Sequence, residues 1–430
     1  MLGRQASWAK LTVAPGSGHR IVALGTVRAA AVGGPRRRGG SVASVIMAVT
    51  SSIPALLLLV VVPGRKALAC TDSDKFACMG NGECMGGVCL CERGWKGPDC
   101  AALDLLPVPA AHPGWNEGRP NWGAATLREG DYWYTFVGSK TDLATGASDE
   151  FAQNSGLHLL RSESPGGGPF TDLGEQRGLN DQSFGFRVDV KRHPVDGALL
   201  LLTEGYAHEP DRGFGFILRR SASGSVMGPW TEHLVYELEE RTIDGVSDWT
   251  ADPTNTDADR WDCRMADPTL AVLASGTVLV GYRGTRCCCN ALVGAWSVTG
   301  EHEHETAGML QATSWEGPFS RTGVKIFGDG ADVEDMWMWT SDRGVHMLMH
   351  SQDNSHYNHE ARGAYAFSPD SDGADWRLSP TEAWPTHLSF DDCSSTALVK
   401  RQRPSLTFHA TTGRPTHLLT GVATSSHGLE

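Results

Sequence analysis

Gly168-Pro169-Phe170, Gly228-Pro229-Trp230 and Gly317-Pro318-Phe319 repeat one phrase three times, each after a short run that ends in Ser or Thr. Those runs are Leu157-His158-Leu159-Leu160-Arg161-Ser162, Ile217-Leu218-Arg219-Arg220-Ser221 and Met309-Leu310-Gln311-Ala312-Thr313-Ser314. A degenerate fourth copy reads Ala364-Tyr365-Ala366-Phe367-Ser368, then Gly373-Ala374-Asp375-Trp376. Ahead of each copy lies an apolar strand, a Gly-bearing turn and a second apolar strand. This second phrase occurs at Trp122 to Val137, Phe186 to Thr203, Asp267 to Tyr282, Glu334 to Met349 and Arg403 to Thr420. Short apolar runs bounded by turn residues read as strands. Five first phrases, about 65–80 residues apart, predict five units of about four strands. Such units bury both faces against their neighbours, so the expected fold is all-β, a five-bladed β-propeller over 115–430.

Charge narrows the function. The chain has Lys+Arg 37 against Asp+Glu 50. Residues 1–69 hold nine of the bases and no acid, which leaves 28 against 50, or about −22, for residues 70–430 (His neutral). A body that acidic repels phosphate backbones, so no nucleic acid is expected as a partner. The acid-free prefix has Arg36-Arg37-Arg38 ahead of an apolar stretch from Val42 to Val62, then Ala67-Leu68-Ala69. It is read as a signal peptide, with a signal anchor (a single-pass type II protein) as the alternative, and Met47 as a possible true start. Residues 70–430 are accordingly placed in an oxidising, extracellular space.

Six cysteines follow within 31 residues: Cys70, Cys78, Cys84, Cys89, Cys91 and Cys100. A module this short needs cross-links in place of a core, and spacing alone leaves 15 pairings open. The run Cys89-Leu90-Cys91-Glu92-Arg93-Gly94-Trp95-Lys96-Gly97-Pro98-Asp99-Cys100, with Asn81-Gly82-Glu83-Cys84 upstream, resembles the EGF-like domain. The resemblance implies an EGF-like module at 70–100, paired Cys70–Cys84, Cys78–Cys89 and Cys91–Cys100. It also implies a spacer or adhesion role with a protein partner. Arg65-Lys66-Ala67-Leu68-Ala69 replaces the acidic motif of calcium-binding members, so no calcium is expected. Residues 101–114, rich in Pro, are read as a linker to an independent propeller. Of the remaining cysteines, Cys263 is expected to join one of Cys287, Cys288 and Cys289, and Cys393 to find another partner.

The five-unit phrasing from Trp115 to Val422 resembles glycoside hydrolases of the arabinanase, β-xylosidase and invertase type. The anchors are Ala266-Asp267-Pro268-Thr269, Glu334-Asp335-Met336-Trp337 and Arg403-Pro404-Ser405. The resemblance implies a central funnel where carboxylates from separate blades act as base, acid and tuner of the acid. Hydrolysis needs two carboxyls in different environments. Asp267 matches the tuning Asp and Glu334 the general acid, with Asp335 as its rival. The base belongs on the first blade, yet Asn121-Trp122-Gly123-Ala124-Ala125 holds no acid. Glu117 and Asp189 are the stand-ins weighed. Arg264, Arg401 and Arg403 are read as neutralising the acids or binding an anionic sugar, and Trp122, Trp337 and Trp339 as stacking faces or blade packing. Glu301-His302-Glu303-His304-Glu305 is read as a solvated loop and not a metal site, and His350 as a candidate to reach the axis. No metal and no cofactor are expected. Two readings stand: a secreted or surface-tethered carbohydrate-active hydrolase with an EGF-like spacer, or a non-catalytic propeller that binds glycans or proteins.

Overall fold

The computed structural model describes residues 7–10, 70–71, 73–110, 121–140, 155–164, 169–176, 179, 188–206, 214–243, 246–250, 261–262, 264–285, 305–322, 325–328, 331–351, 362–370 and 372–423. Four antiparallel sheets follow one another along the chain. The first runs Asn121–Glu129, Tyr132–Lys140, Ser155–Ser162 and Thr171–Glu175. The second runs Val188–Arg192, Leu199–Tyr206, Phe214–Ser221 and Thr231–Ile243, extended by Val246–Thr250. The third is Arg264–Val272, Val278–Thr285, Thr306–Ala312 and Ser320–Arg321. The fourth is Val333–Ser341, Gly344–Ser351, Arg362–Ser368 and Arg377–Leu378. The first strand of each sheet lies innermost and touches its counterpart in the next.

The apolar runs explain the arrangement. Alternate side chains of a strand leave on opposite faces, so a continuous Leu run is buried twice. Leu199 and Leu201 enter the core between blades 1 and 2, whereas Leu200 and Leu202 enter the core between blades 2 and 3. Met336 and Met338 likewise face blade 3, and Trp337 and Trp339 face the other way. The closing aromatics seal these seams: Trp230 packs on the first, Phe319 on the second and Trp376 on the third. Each fully buried Leu contributes about 1.5–3 kcal/mol relative to exposure.

The architecture is propeller-like with four blades, not the expected five. The fifth repeat forms only the hairpin Lys400–Phe408 and Pro415–Ala423, joined at its edge by Ser7–Lys10. Lys400–Phe408 lies against the inner strands of blades 4 and 1. Outer strands would have to cover Leu418 and Val422. That surface is instead packed by Leu103, Leu105 and Val108 and by Leu388 and Leu398. Residues 101–108 are therefore packed chain and not a solvated tether.

The EGF-like module carries the three expected disulfides, Cys70–Cys84, Cys78–Cys89 and Cys91–Cys100. It is not separate from the blades. Phe76, Met79 and Trp95 share one apolar cluster with Trp339, Tyr365, Phe367 and Trp384. Trp95 stacks on Trp339 at 6.3 Å, and the Tyr365 hydroxyl donates to the Met79 carbonyl at 2.9 Å. Gly80, at φ 71°, passes so close to Phe367 that a Cβ would lie 2.6 Å from the ring. Gly80→Ala should thus cost about 1–3 kcal/mol and lower one cooperative melting transition of the whole protein. A variant that melts the module alone, with the β-signal unmoved, would show that the cluster does not couple them.

Behind that cluster His346 is buried between Ser341 and Tyr365, at 2.7 Å and 2.6 Å. With Tyr365 donating onward to Met79, the chain of donors makes Nδ1 the protonated nitrogen of a neutral ring. Burial, reinforced by the Arg343 charge, pushes His346 down to about 3. Its unfolded value is near 6.5, so the unfolded chain binds the extra proton first. Stability is full above that value and falls as pH drops toward the folded one. Between pH 7 and 5 the loss should be about 2 kcal/mol, and His346→Gln should flatten that slope in melting curves.

Candidate functional site

Each described inner strand except that of blade 2 breaks its ladder near its start. The register slips between Asn121 and Ala124, Ala266 and Thr269, Glu334 and Trp337, and Gln402 and Ser405. Each bulge holds a left-handed residue: Asp267 at φ 57°, Asp335 at 56° and Arg403 at 53° in its first position, and Gly123 at 89° in its second. A side chain in that region costs of order 1–3 kcal/mol, and such strain concentrates at functional sites. The bulges bring Asp267, Asp335 and Arg403 to one end of the axis, lining a narrow cavity of about 40 Å³.

Two guanidiniums organise the acids there. Arg283 reaches Asp267 Oδ2 at 3.0 Å, Glu305 Oε1 at 2.7 Å and Glu334 Oε2 at 3.0 Å. Arg403 reaches Asp335 Oδ1 at 3.3 Å and Asp267 Oδ1 at 3.7 Å. Glu204 Oε2 accepts the Asp267 backbone N–H at 3.2 Å. Burial opposes the charge on Arg283, but Glu305, Glu334, Asp335 and Glu204 outweigh it and hold its pKa above the ordinary value. His350 Nδ1 lies 3.1 Å from Glu334 Oε1, and Gln402 Nε2 donates to the same oxygen at 3.3 Å. Five carboxylates thus face two guanidiniums, a surplus of three negative charges among the described residues. Such a surplus suits a cationic, oxocarbenium-like transition state.

Accessibility separates the acids. Asp267 and Asp335 side chains are 1 % and 2 % exposed, whereas Glu334 is 14 % exposed. Of these three acids a ligand can reach Glu334 most readily. Glu334, Asp335 and His350 also place one potential ligand atom each within 4.8 Å of the others, the grouping here best able to hold a metal. Arg283 and Arg403 already supply positive charge to those carboxylates.

Asp189 and Trp337 line the same narrow cavity but are engaged between blades, and the other expected residues fall elsewhere. Asp189 is buried between blades, accepting from Thr269 Oγ1 at 2.9 Å, Leu270 N at 2.8 Å and Trp337 Nε1 at 3.1 Å, and pairing with Lys191 at 2.7 Å. So engaged, it is a pin between blades and not a free base. The Trp337 and Trp339 rings lie 5.3 Å apart, tilted at 33°, within the buried cluster at the fifth hairpin. Arg401 lies inside the fifth hairpin, donating to the Pro385 and His387 carbonyls, and burial lowers it to about 9 despite Glu382. Glu305 is buried and ion-paired, unlike the solvated loop expected of it. Glu117, Cys263, Cys287, Cys288, Cys289 and residues 301–304, with the side chains of Trp122 and Arg264, lie outside the described residues. Cys393 is exposed with a free thiol.

Sequence reasoning missed Arg283, Glu204 and Gln402. A signal existed. Thr269 pairs with Gly281 and Trp337 with Leu348, and two residues beyond those partners stand Arg283 and His350. Asp189 pairs with Leu202, and the same offset gives Glu204. One position of the second strand in blades 2, 3 and 4 therefore supplies a polar side chain near the inner end.

Residues 76–102 match the family described as the teneurin-like EGF domain. No curated protein matches the chain. Among solved structures the chain is similar to an α-L-arabinanase from Cellvibrio cellulosa, at 11% identity and TM-score 0.38, over 57% of this chain and 73% of that one. A thermostable family-43 glycoside hydrolase aligns at 10% identity and TM-score 0.42, over 72% and 91%. A family 117 glycoside hydrolase from Zobellia galactanivorans aligns at 14% and 0.38, over 71% and 85%. The chain thus joins a segment that matches the teneurin-like EGF domain, at residues 76–102, to an all-β, propeller-like body.

Proposed function

We propose that this is a secreted or surface-tethered carbohydrate-active protein, a glycoside hydrolase of the propeller type whose EGF-like module acts as a docked spacer. The observation that carries the reading is the convergence of Asp267, Glu334 and Asp335, from two blades, on one end of the axis beside Arg283 and Arg403. Glu334 acts as the general acid toward the leaving oxygen. Asp267 and Asp335, buried behind it, set the field in which that proton moves. Arg403 neutralises the buried pair. The ring is completed by the fifth repeat standing as a reduced blade.

A second reading has its own observation. By register Trp122 holds the bulge position that Asp267 and Asp335 hold in blades 3 and 4, so blade 1 gives no carboxylate from that position. Without a base to activate water, the same site would bind a glycan and not cleave it. A glycan array with hydrolysis assays on the array's hits separates the two. Cleavage of a bound glycan supports the hydrolase, and binding without product supports the lectin-like protein. Neither binding nor cleavage of any glycan would remove both.

A further inference from the structure

The opposite end of the axis holds a larger cavity, of about 1090 Å³. Its walls are the far ends of the inner strands, including Thr126, Val190, Val272 and Leu406, and its roof is the EGF-like module through Asn81, Glu92 and Trp95. Sites for drug-sized ligands span roughly 300–1,000 Å³, so several sugar rings fit. Nothing in the proposed hydrolytic site uses this space.

Its chemistry is unlike the rest of the molecule. In a body carrying about −22, the lining has Arg93, Arg128, Lys191, Arg192, Arg343 and Arg414 against only Glu92 and Asp342. Arg343 is committed to Glu92 at 2.6 Å and Arg192 to the Gly197 carbonyl at 2.7 Å. Arg128 is exposed and donates its Nε to the Gly130 carbonyl at 3.0 Å, Arg414 is half-buried, and neither has a carboxylate partner among the described residues. Deeper in, Lys191 Nζ, paired with Asp189 at 2.7 Å, stands 3.9 Å over the Trp337 ring. Trp337 continues into Phe408, stacked at 6.1 Å, and the hydroxyls of Thr407 and Thr416 lie beside it. Flat apolar faces, hydroxyl partners and arginines without a carboxylate partner together match the ring faces, hydroxyls and charges of an acidic sugar.

We propose that this cavity is a second glycan site, selective for acidic oligosaccharides bearing carboxylate or sulfate groups and walled in part by the docked EGF-like module. The inference is independent of whether the opposite end hydrolyses anything. Calorimetry on the full chain tests it with an oligogalacturonate trisaccharide, a chondroitin sulfate tetrasaccharide and neutral cellotriose. At least one acidic probe should bind, more tightly than cellotriose. Affinity should fall about tenfold or more in Arg128→Ala/Arg414→Ala, which removes two charge-assisted contacts. In wild type, the bound probe should also protect Lys191 from amine acetylation, read by mass spectrometry. Binding of the oligogalacturonate shows that carboxylates suffice, whereas binding of chondroitin sulfate alone points to its sulfate groups, because both probes carry carboxylates. Failure of both acidic probes, equal binding of cellotriose, wild-type affinity in the double variant, or unprotected Lys191 would overturn the proposal. So would binding that is lost in Glu334→Gln and kept in the double variant, because that ligand would sit at the other end.

Discussion

Arg283→Met should destabilise the protein by about 3–5 kcal/mol, the range for removing one partner of a buried ion pair. Arg283 touches Asp267, Glu305 and Glu334 together. Without it the carboxylates face each other across a partly desolvated site. The pH dependence gives the effect its signature. Stranded carboxylates bind protons more readily in the folded variant than in its unfolded chain, so acidification stabilises the folded form. The deficit against wild type should therefore be largest near pH 8 and shrink toward pH 5, opposite in sign to the slope from His346. Arg283→Lys keeps the charge but lacks the planar fork, and should fall between. Melting midpoints at the two pH values check this; a Met variant within about 1 kcal/mol of wild type would mean the cluster is not held through Arg283.

Glu334→Gln should lower turnover of unactivated glycosides by about 10²–10⁴-fold, the usual contribution of a positioned general acid. Binding should change little, because Gln keeps the shape and a carbonyl acceptor for His350 and Gln402. Aryl glycosides with good leaving groups should lose far less, since their departing oxygen needs no proton. The wild-type rate itself should be low. Blade 1 carries Trp122 at the bulge position of Asp267 and Asp335 and so supplies no base from there. If activity survives Glu334→Gln but not Asp335→Asn, the acid is the neighbouring residue.

Much of this was legible in the chain. Strand pairs, closing aromatics and EGF disulfides leave period-two runs and fixed spacings, and Asp267, Glu334, Asp335 and Arg403 came together as their repeat phase implied. What misled was anything set by packing from a distance. Pro-rich residues 101–114 read as a linker because nothing local shows that Leu105 and Val108 will cover the fifth hairpin. Gly94-Trp95 reads as EGF signature, and only the fold reveals Trp95 stacked on Trp339. Asp189 looked available as a base until the bulge phase turned it between blades. Glu305 looked solvated in its charged run, because its partner Arg283 is on another strand.

The most direct test of the central claim is release of reducing sugar from a panel of purified oligosaccharides by the secreted full-length protein, with Glu334→Gln run in parallel. The account predicts slow release from at least one glycan that the protein binds, lost in Glu334→Gln while that glycan still binds. If wild type and variant bind the same glycans and neither releases sugar, the hydrolase reading is contradicted and the axial carboxylates serve binding alone.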